Sequence, residues 1–182
     1  MTYFTYVPKL VEAKYFEEVY DSVKDIVQVN AQRYSCMFNL HSIDMKFNGY
    51  VPMYDYINLP KCIQEIRTIV EKYSNEIFDY VLIHIYPTGE SGISWHADSE
   101  GKESEIASIS LGATRKFRLR KIGRTTGCDH EFLLGSGDCI FMHKPSEKNN
   151  YKGCQKVFQH CVPVQSIVNK PRINLTFRQY EI

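Results

Sequence analysis

The nine residues 172–180, RINLTFRQY, decide the fold of this 182-residue chain, because their side chains alternate between two classes. Successive side chains of a β-strand point to opposite faces of the sheet. The apolar face carries Ile173, Leu175 and Phe177, and the polar face carries Arg172, Asn174, Thr176 and Arg178. The two guanidiniums are roughly 20 Å apart along a strand, so their tips could bind both ends of a short dicarboxylate. The alternative is an edge strand with a solvated polar face.

A second segment, GISWHADSE at residues 92–100, carries a metal-binding pattern. His96 and Asp98 are separated by one residue, so both side chains share one face of a strand. They supply two of the three ligands of the 2-His-1-carboxylate site that binds non-haem Fe(II). His160, about a dozen residues before Arg172, is the candidate third ligand. The open iron positions would accept a 2-oxo acid and dioxygen, and Arg172 would bind the far carboxylate of the 2-oxo acid.

These motifs resemble the AlkB family of Fe(II)/2-oxoglutarate-dependent nucleic-acid dealkylating dioxygenases. The resemblance covers residues 80–180 in the family's order, through YVLIHIYPTGESGISWHADSE, EIASISLGATRKFRLRK, LLGSGDCIFM, FQHCVPV and PRINLTFR. The R-x-N-x-T-F-R pattern at the end is more specific than the His-x-Asp pair. The resemblance implies that His96, Asp98 and His160 bind the iron.

The resemblance also implies a binding site for 2-oxoglutarate. Arg172 would pair with the distal carboxylate, Asn174 and Arg178 would line the same pocket, and Tyr86 matches a family tyrosine that touches the cosubstrate. His84 departs from the family, which usually has Asn at this position. Because an imidazole titrates near neutrality and an amide does not, we expect cosubstrate binding to be more sensitive to pH here.

Two features point towards a nucleic-acid substrate. Glu100 matches a family position near the substrate base, where an acid can accept a hydrogen bond from an exocyclic amine. The segment RKFRLRKIGR, residues 115–124, would place Lys116, Arg118 and Arg120 on one face of a strand, where they could follow phosphates. The alternatives are a charged exposed loop for Glu100 and a solvated hairpin face for the basic stripe.

The order of the elements predicts an α+β, mainly β fold: a double-stranded β-helix, or jelly roll, with two supporting N-terminal helices. Helical periodicity predicts one helix over residues 9–27 and another from Pro60 to residue 74 or 75. From residue 78 onward strand signals dominate, in VLIHIY, ISWHAD, IASISL, KFRLRK, HEFLLG, DCIFM, KVFQHCV and INLTF. The strand faces bearing Arg172 and His84 would then line the barrel lumen.

The length predicts one dioxygenase domain over residues 1–182, with the jelly-roll core in 78–182 and the helices and a nucleotide lid in 1–77. The stretch 30–58 should form short strands and loops, and in the family this region carries an aromatic that stacks on the flipped base. The candidate aromatics are Tyr34, Phe38, Phe47, Tyr50, Tyr54 and Tyr56.

Composition sets the remaining expectations. With no secretory signal, no long apolar run and a net charge of +1, we expect an intracellular monomer of the nucleus or cytoplasm that does not span a membrane. The six cysteines form no CxxC pair and are predicted to be free thiols. A zinc site could use Cys128, His130, Cys154 and Cys161, but their spacing fits no standard zinc pattern.

The predicted function is oxidative demethylation of N-alkylated bases in methylated DNA or RNA, with release of formaldehyde and succinate. It requires Fe(II), 2-oxoglutarate and dioxygen. Two alternatives stay open at this point. The same iron chemistry could act on a protein or a small molecule, or the chain could be a jelly-roll binding module that has lost its iron.

Overall fold

The computed structural model describes residues 2–42, 45 and 51–180, and most of its regular structure lies in two β-sheets. The helices are α1 (Tyr15–Val23), α2 (Lys61–Ser74) and α3 (Cys154–Val157). The larger sheet contains, in chain order, β1 (Phe4–Val7), β2 (Gln28–Asn30), β3 (Arg33–Asn39), β4 (Met53–Tyr54), β5 (Tyr80–Tyr86), β7 (Ile106–Gly112), β10 (Cys139–Met142) and β12 (Arg172–Arg178). The smaller sheet contains β6 (Ile93–His96), β8 (Arg115–Lys121), β9 (His130–Leu134) and β11 (Phe158–Val162).

The strand that decides the fold, β12, lies in the interior of the larger sheet. The strand order is β1-β10-β7-β12-β5-β3-β2, so β12 pairs antiparallel with β5 on one side and with β7 on the other. All seven of its residues are buried. The alternative of an edge strand with a solvated face is therefore wrong, and the jelly-roll prediction is confirmed by the two packed, mainly antiparallel sheets.

The two faces of β12 serve different purposes. Its apolar side chains join the main hydrophobic cluster, which also contains Val19 of α1 and Ile66 of α2. Burial of each such side chain contributes about 1.5–3 kcal/mol. Its polar side chains face the space between the sheets in register with their neighbours, so that Ser35, His84, Asn174 and Ser110 form one row across four strands. The polar row lies in the lumen, as the sequence predicted.

The first helix is shorter than the predicted 9–27, because the preceding chain belongs to the sheet. Residues of β1 pair with β10, and the backbone N–H of Val11 donates to the carbonyl of Gly137 at 3.2 Å. Lys9 has a φ of 50°, which lies outside the right-handed helical region. The prediction for α2 is confirmed: it follows Pro60 and ends before Asn75, whose left-handed φ of 57° is a common way to end a helix.

Residues before 78 contribute strands as well as helices. The strands β1, β2, β3 and β4 all join the larger sheet. Near the other end of the chain, the predicted strand KVFQHCV is interrupted, because its first two residues belong to the one-turn helix α3. The six cysteines are free thiols. In the described part of the chain, no helix is long and apolar enough to cross a membrane.

The candidate base-stacking aromatics divide between core and surface. Phe38 is buried in the main cluster, and Tyr54 packs against it with ring centroids 5.4 Å apart. Tyr34 and Tyr56 are 41% and 46% exposed. The other two candidates, Phe47 and Tyr50, lie outside the described residues.

Candidate active site

Three potential metal ligands meet at one end of the lumen. His96 ends β6, Asp98 follows two residues later, and His160 of β11 lies directly opposite His96 in the strand register. Their ligand atoms all lie within 4.8 Å of one another. Asp98 Oδ1 is 3.6 Å from His96 Nε2, and Asp98 Oδ2 is 3.9 Å from His160 Nε2. The structure thus brings together residues that are up to 64 positions apart in the sequence, from His96 to His160.

The surrounding residues orient these ligands. His96 Nδ1 lies 2.8 Å from the carbonyl of Ser94, so its N–H donates there and leaves Nε2 as the free acceptor. The backbone N–H of Asp98 donates to the side-chain oxygen of buried Gln155 at 2.9 Å. The ring of His160 stacks on Phe117 at 5.4 Å. Gln155 and Phe117 carried no signal in the sequence, because their contacts with the site are long-range.

The protonation states suit a divalent cation. Burial lowers the pKa of His160 to about 4, so its imidazole is neutral at neutral pH, as a metal ligand must be. Burial alone would raise the pKa of Asp98, but the positive charge of Arg178, followed by weaker interactions with the surrounding histidines, lowers it below its ordinary value. Two imidazoles and one carboxylate at one point are the ligand set of non-haem Fe(II), so these residues fit that ion.

Arg172 is a buried cation that has no acidic partner in the part of the chain that the structure describes. It is 1% exposed, and its NH2 donates to Ser110 Oγ at 2.8 Å. Its Nε and NH1 have no hydrogen-bond partner among the described residues. The guanidinium lies 5.1 Å from the ring centroid of Tyr86. Because a buried, unpaired charge is strongly destabilising, this geometry fits a carboxylate ligand such as the far end of 2-oxoglutarate.

Arg178 is placed differently from Arg172. Its NH2 is 3.0 Å from Asp98 Oδ2, and its NH1 is 4.0 Å from Glu100 Oε2. Arg178 therefore lies beside the metal cluster, and the expectation that Arg172 and Arg178 bind the two ends of one dicarboxylate stays a prediction. Asn174 lines the cavity, but its amide donates to Ser108 Oγ and to the carbonyl of Ile109.

His84 is held neutral. Its Nδ1 lies 2.6 Å from Ser35 Oγ, and the ring lines the cavity. Burial, followed by the positive charges of Arg33 and Arg178, lowers its pKa well below the ordinary value. A histidine whose pKa is lowered stays neutral until the pH falls through that lowered value. A neutral imidazole at this position can act as a hydrogen-bonding group, and the expected pH sensitivity of cosubstrate binding stays a prediction.

One cavity of about 350 Å³ joins the parts of the site. Its lining includes all three potential metal ligands and, of the other predicted residues, His84, Tyr86, Glu100, Asn174 and Arg178. Arg172 adjoins it through the ring of Tyr86. Apolar side chains such as Ile93 and Met142 line part of the cavity and reduce access of water to the cluster.

The predicted basic stripe lies on the other side of the smaller sheet. Phe117 faces the cavity, so its neighbours Lys116 and Arg118 face outwards. Glu131 of the adjacent strand neutralises part of the stripe, at 3.6 Å from Lys116 and 2.5 Å from Arg118. Arg120 lies 4.2 Å from the ring centroid of Trp95. The stripe is thus outside the lumen and carries less free charge than its sequence indicates.

Comparison with known proteins agrees with this geometry. The profile of the 2OG-Fe(II) oxygenase superfamily matches residues 14–178, so the chain belongs to this superfamily, which implies Fe(II), 2-oxoglutarate and dioxygen as cofactors. Bovine DNA oxidative demethylase ALKBH2 is 32% identical over 126 residues, which are 64% of this chain and 42% of the relative. Human alpha-ketoglutarate-dependent dioxygenase alkB homolog 3 is 29% identical over 64% of this chain and 41% of the relative.

A viral protein is also similar. Uncharacterized protein R406 of Acanthamoeba polyphaga mimivirus is 27% identical over 69% of this chain and 62% of the relative. The matched stretch spans less than half of the two mammalian relatives. Within the superfamily, these similarities make the chain a member of the AlkB family, and the resemblance noted from the motifs is confirmed.

Proposed function

We propose that this protein is an Fe(II)- and 2-oxoglutarate-dependent dioxygenase that oxidatively demethylates N-alkylated bases in DNA or RNA. The observation that carries the proposal is one cavity in which His96, Asp98 and His160 converge. The buried cation Arg172, which lacks an acidic partner among the described residues, adjoins the same cavity. The three converging ligands fit iron, and Arg172 fits the far carboxylate of the cosubstrate.

Each residue has a defined task in this proposal. When bound, the iron and 2-oxoglutarate supply the oxidising chemistry that hydroxylates the methyl group, which is then lost as formaldehyde. His96, Asp98 and His160 hold the metal on one side and leave the cavity side open. Arg178 keeps Asp98 ionised, and Gln155 fixes the backbone that carries it. The apolar lining excludes water from the reacting groups.

The choice of a nucleic acid rests on family membership and on Glu100. One relative is named a DNA oxidative demethylase, and Glu100 lines the cavity close to the metal cluster. Its side chain is 54% exposed, so it is accessible to a base that enters the cavity. A carboxylate there can accept a hydrogen bond from an exocyclic amine.

The function is tested with methylated DNA and RNA oligonucleotides, supplied with Fe(II), 2-oxoglutarate and dioxygen. Mass spectrometry should show loss of one methyl group from the oligonucleotide, with formaldehyde and succinate formed in equal amounts. Decarboxylation of 2-oxoglutarate without methyl loss from any oligonucleotide would instead favour a protein or small-molecule substrate. Absence of both reactions in the iron-loaded protein would favour a binding module.

Neutralising the basic stripe tests whether it binds phosphates. If Lys116, Arg118 and Arg120 bind phosphates, changing all three to Gln should weaken the binding of all oligonucleotides about equally. The slope of the salt dependence should fall by roughly one unit for each phosphate that is no longer bound. Binding should be measured by fluorescence anisotropy at several salt concentrations. Changing only Glu131 to Gln is the matched control, because it frees Lys116 and Arg118 and should strengthen binding. Unchanged affinity in both variants would make the stripe a solvated sheet face.

Glu100→Gln tests the interaction with the base. The change removes the charge but keeps the size, and we expect slower turnover on bases that present an exocyclic amine, by about tenfold for the loss of one charged hydrogen bond. The salt dependence of binding should stay the same, because Glu100 would touch the base and not the backbone. Ser99→Ala, at the exposed neighbouring position, is the control. An equal decrease on bases without such an amine would contradict the assignment.

A further inference from the structure

Five arginines are buried in the described part of the chain, and their partners divide them into two groups. They are Arg33, Arg67, Arg115, Arg172 and Arg178. Arg67 pairs with Glu71, and Arg178 pairs with Asp98. Arg115 donates to the backbone carbonyls of residues 88, 89, 91 and 163.

Arg33 and Arg172 form the second group, since among the described residues neither has an acidic partner and neither has the set of carbonyl acceptors that surrounds Arg115. Arg33 is 9% exposed, its NH1 donates to the hydroxyl of Tyr86 at 3.4 Å, and its buried Nε has no partner. A guanidinium carries five N–H donors, and within the described part of the chain the buried Nε of Arg33 and the Nε and NH1 of Arg172 have no acceptor. Two buried cations with donors left over in one site fit an anion that is part of the functional state.

The strand register brings these two arginines to the same place. Tyr86 of β5 lies opposite Arg172 of β12. On its other side is β3, where Tyr34 pairs with Ile85, so Arg33 lies next to Tyr86. The two guanidiniums lie 5.7 Å and 5.1 Å from the centroid of the Tyr86 ring. Burial lowers the pKa of Arg172 most, followed by the charge of Arg115, whose guanidinium lies 5.9 Å from the same ring centroid, and then by the charge of Arg33.

We propose that Arg33 is a second binding residue for the far carboxylate of 2-oxoglutarate, acting together with Arg172 and Tyr86. This inference rests on the proposed function, because it assumes that 2-oxoglutarate occupies the cavity. Arg33 lines that cavity from β3, whereas Arg172 approaches from β12 on the opposite side of Tyr86. A carboxylate has two oxygens and can accept from two guanidiniums, so one anion compensates both buried cations.

The depth of Arg33 favours this carboxylate over a phosphate of the substrate. Its NH1 donates to the hydroxyl of Tyr86, and only 9% of its surface is exposed. The phosphates of a nucleic acid remain accessible to solvent when a base enters a pocket, so they require a more exposed cation. A second guanidinium at the far carboxylate would also select dicarboxylates over 2-oxo acids that end in a methyl group.

The test compares two ligands that differ only at the far end. Anaerobic protein loaded with Fe(II) is titrated with 2-oxoglutarate and with 2-oxopentanoate, which has the same chain length but no far carboxylate. Binding is followed by calorimetry and by the visible charge-transfer band, so the readout does not depend on turnover. The variants are Arg33→Met and Arg33→Lys, with Gln32→Met at the exposed neighbouring position as the matched control.

We expect Arg33→Met to weaken the binding of 2-oxoglutarate by about 30-fold, the lower end of the range for removing one member of a buried charge pair, because Arg172 would still pair with the carboxylate. The affinity for 2-oxopentanoate should remain unchanged, and Gln32→Met should bind both ligands like the unaltered protein. Arg33→Lys should give an intermediate decrease in affinity, because lysine keeps the charge but lacks the planar fork.

Two results would overturn the assignment of Arg33. An equal loss of affinity for 2-oxoglutarate and for 2-oxopentanoate would show that Arg33 only supports the packing of the site. Unchanged affinity for 2-oxoglutarate with weaker binding of oligonucleotides would make Arg33 a phosphate ligand. Failure of the proposed function looks different: the unaltered protein would then show no band with 2-oxoglutarate, and Arg172→Met would have no effect on its binding.

Discussion

Asp98→Ala should abolish turnover, because it removes the only carboxylate of the proposed iron site. Changes to residues that merely orient metal ligands cost about 10–100-fold in affinity or activity, and loss of a ligand should exceed that range. Iron content and succinate formation are to be measured together. His96→Ala and His160→Ala should behave alike, since each removes one of the three protein ligands.

The fold must survive for this result to be informative. Asp98 pairs with Arg178, so its removal also leaves a buried arginine without its nearest acid. His96 is 31% exposed at its side chain and has no such role, which makes His96→Ala the cleaner variant. Circular dichroism should show an unchanged fold for it. Full activity with bound iron in any of the three variants would refute the assignment of the ligands.

Arg172→Met should raise the 2-oxoglutarate requirement sharply. Truncation of one partner of a buried charge pair costs about 2–5 kcal/mol, which corresponds to an affinity loss of about 30- to several thousandfold. Methionine keeps much of the length and the apolar packing of the side chain, so the effect should come from the missing charge. Titration of the anaerobic Fe(II)-loaded protein with 2-oxoglutarate measures this loss of affinity.

The control for Arg172 is a cation outside the lumen. Arg118→Met removes a guanidinium that pairs with Glu131 on the outer face of the smaller sheet, and it should leave the affinity for 2-oxoglutarate unchanged. If Arg172→Met also left it unchanged, the far carboxylate would have to bind elsewhere, and Arg33 and Arg178 are the arginines among the described residues that line the cavity.

The local sequence was sufficient for the fold class and for the residues that gather in the cavity. Alternation along β12 depends only on the two-residue period of a strand, and the structure places its apolar and polar faces as the pattern indicates. The His-x-Asp spacing likewise puts two ligands on one side of the chain. The start and end of α2 followed from Pro60 and Asn75, because helix-ending signals are also local.

Tertiary structure decided which charges are free and which are paired. Glu131 reduces the charge of the basic stripe from the neighbouring strand, and Gln155 reaches Asp98 across 57 positions of the chain. Neither interaction follows from sequence spacing. The same holds for α1, whose predicted first residues are outside the helix because β1 pairs with β10.

The sequence by itself determined the jelly roll, the three potential metal ligands and Arg172, since each depends on a local period or on a specific motif. Only the tertiary structure decided that the pKa of His84 is lowered and that Arg33 joins Arg172 at Tyr86. Burial determines the pKa of His84, because the pKa of an imidazole depends on its loss of solvent and on the arginines around it. Strand pairing between β3, β5 and β12 brings Arg33 and Arg172 together, because it joins residues far apart in the chain.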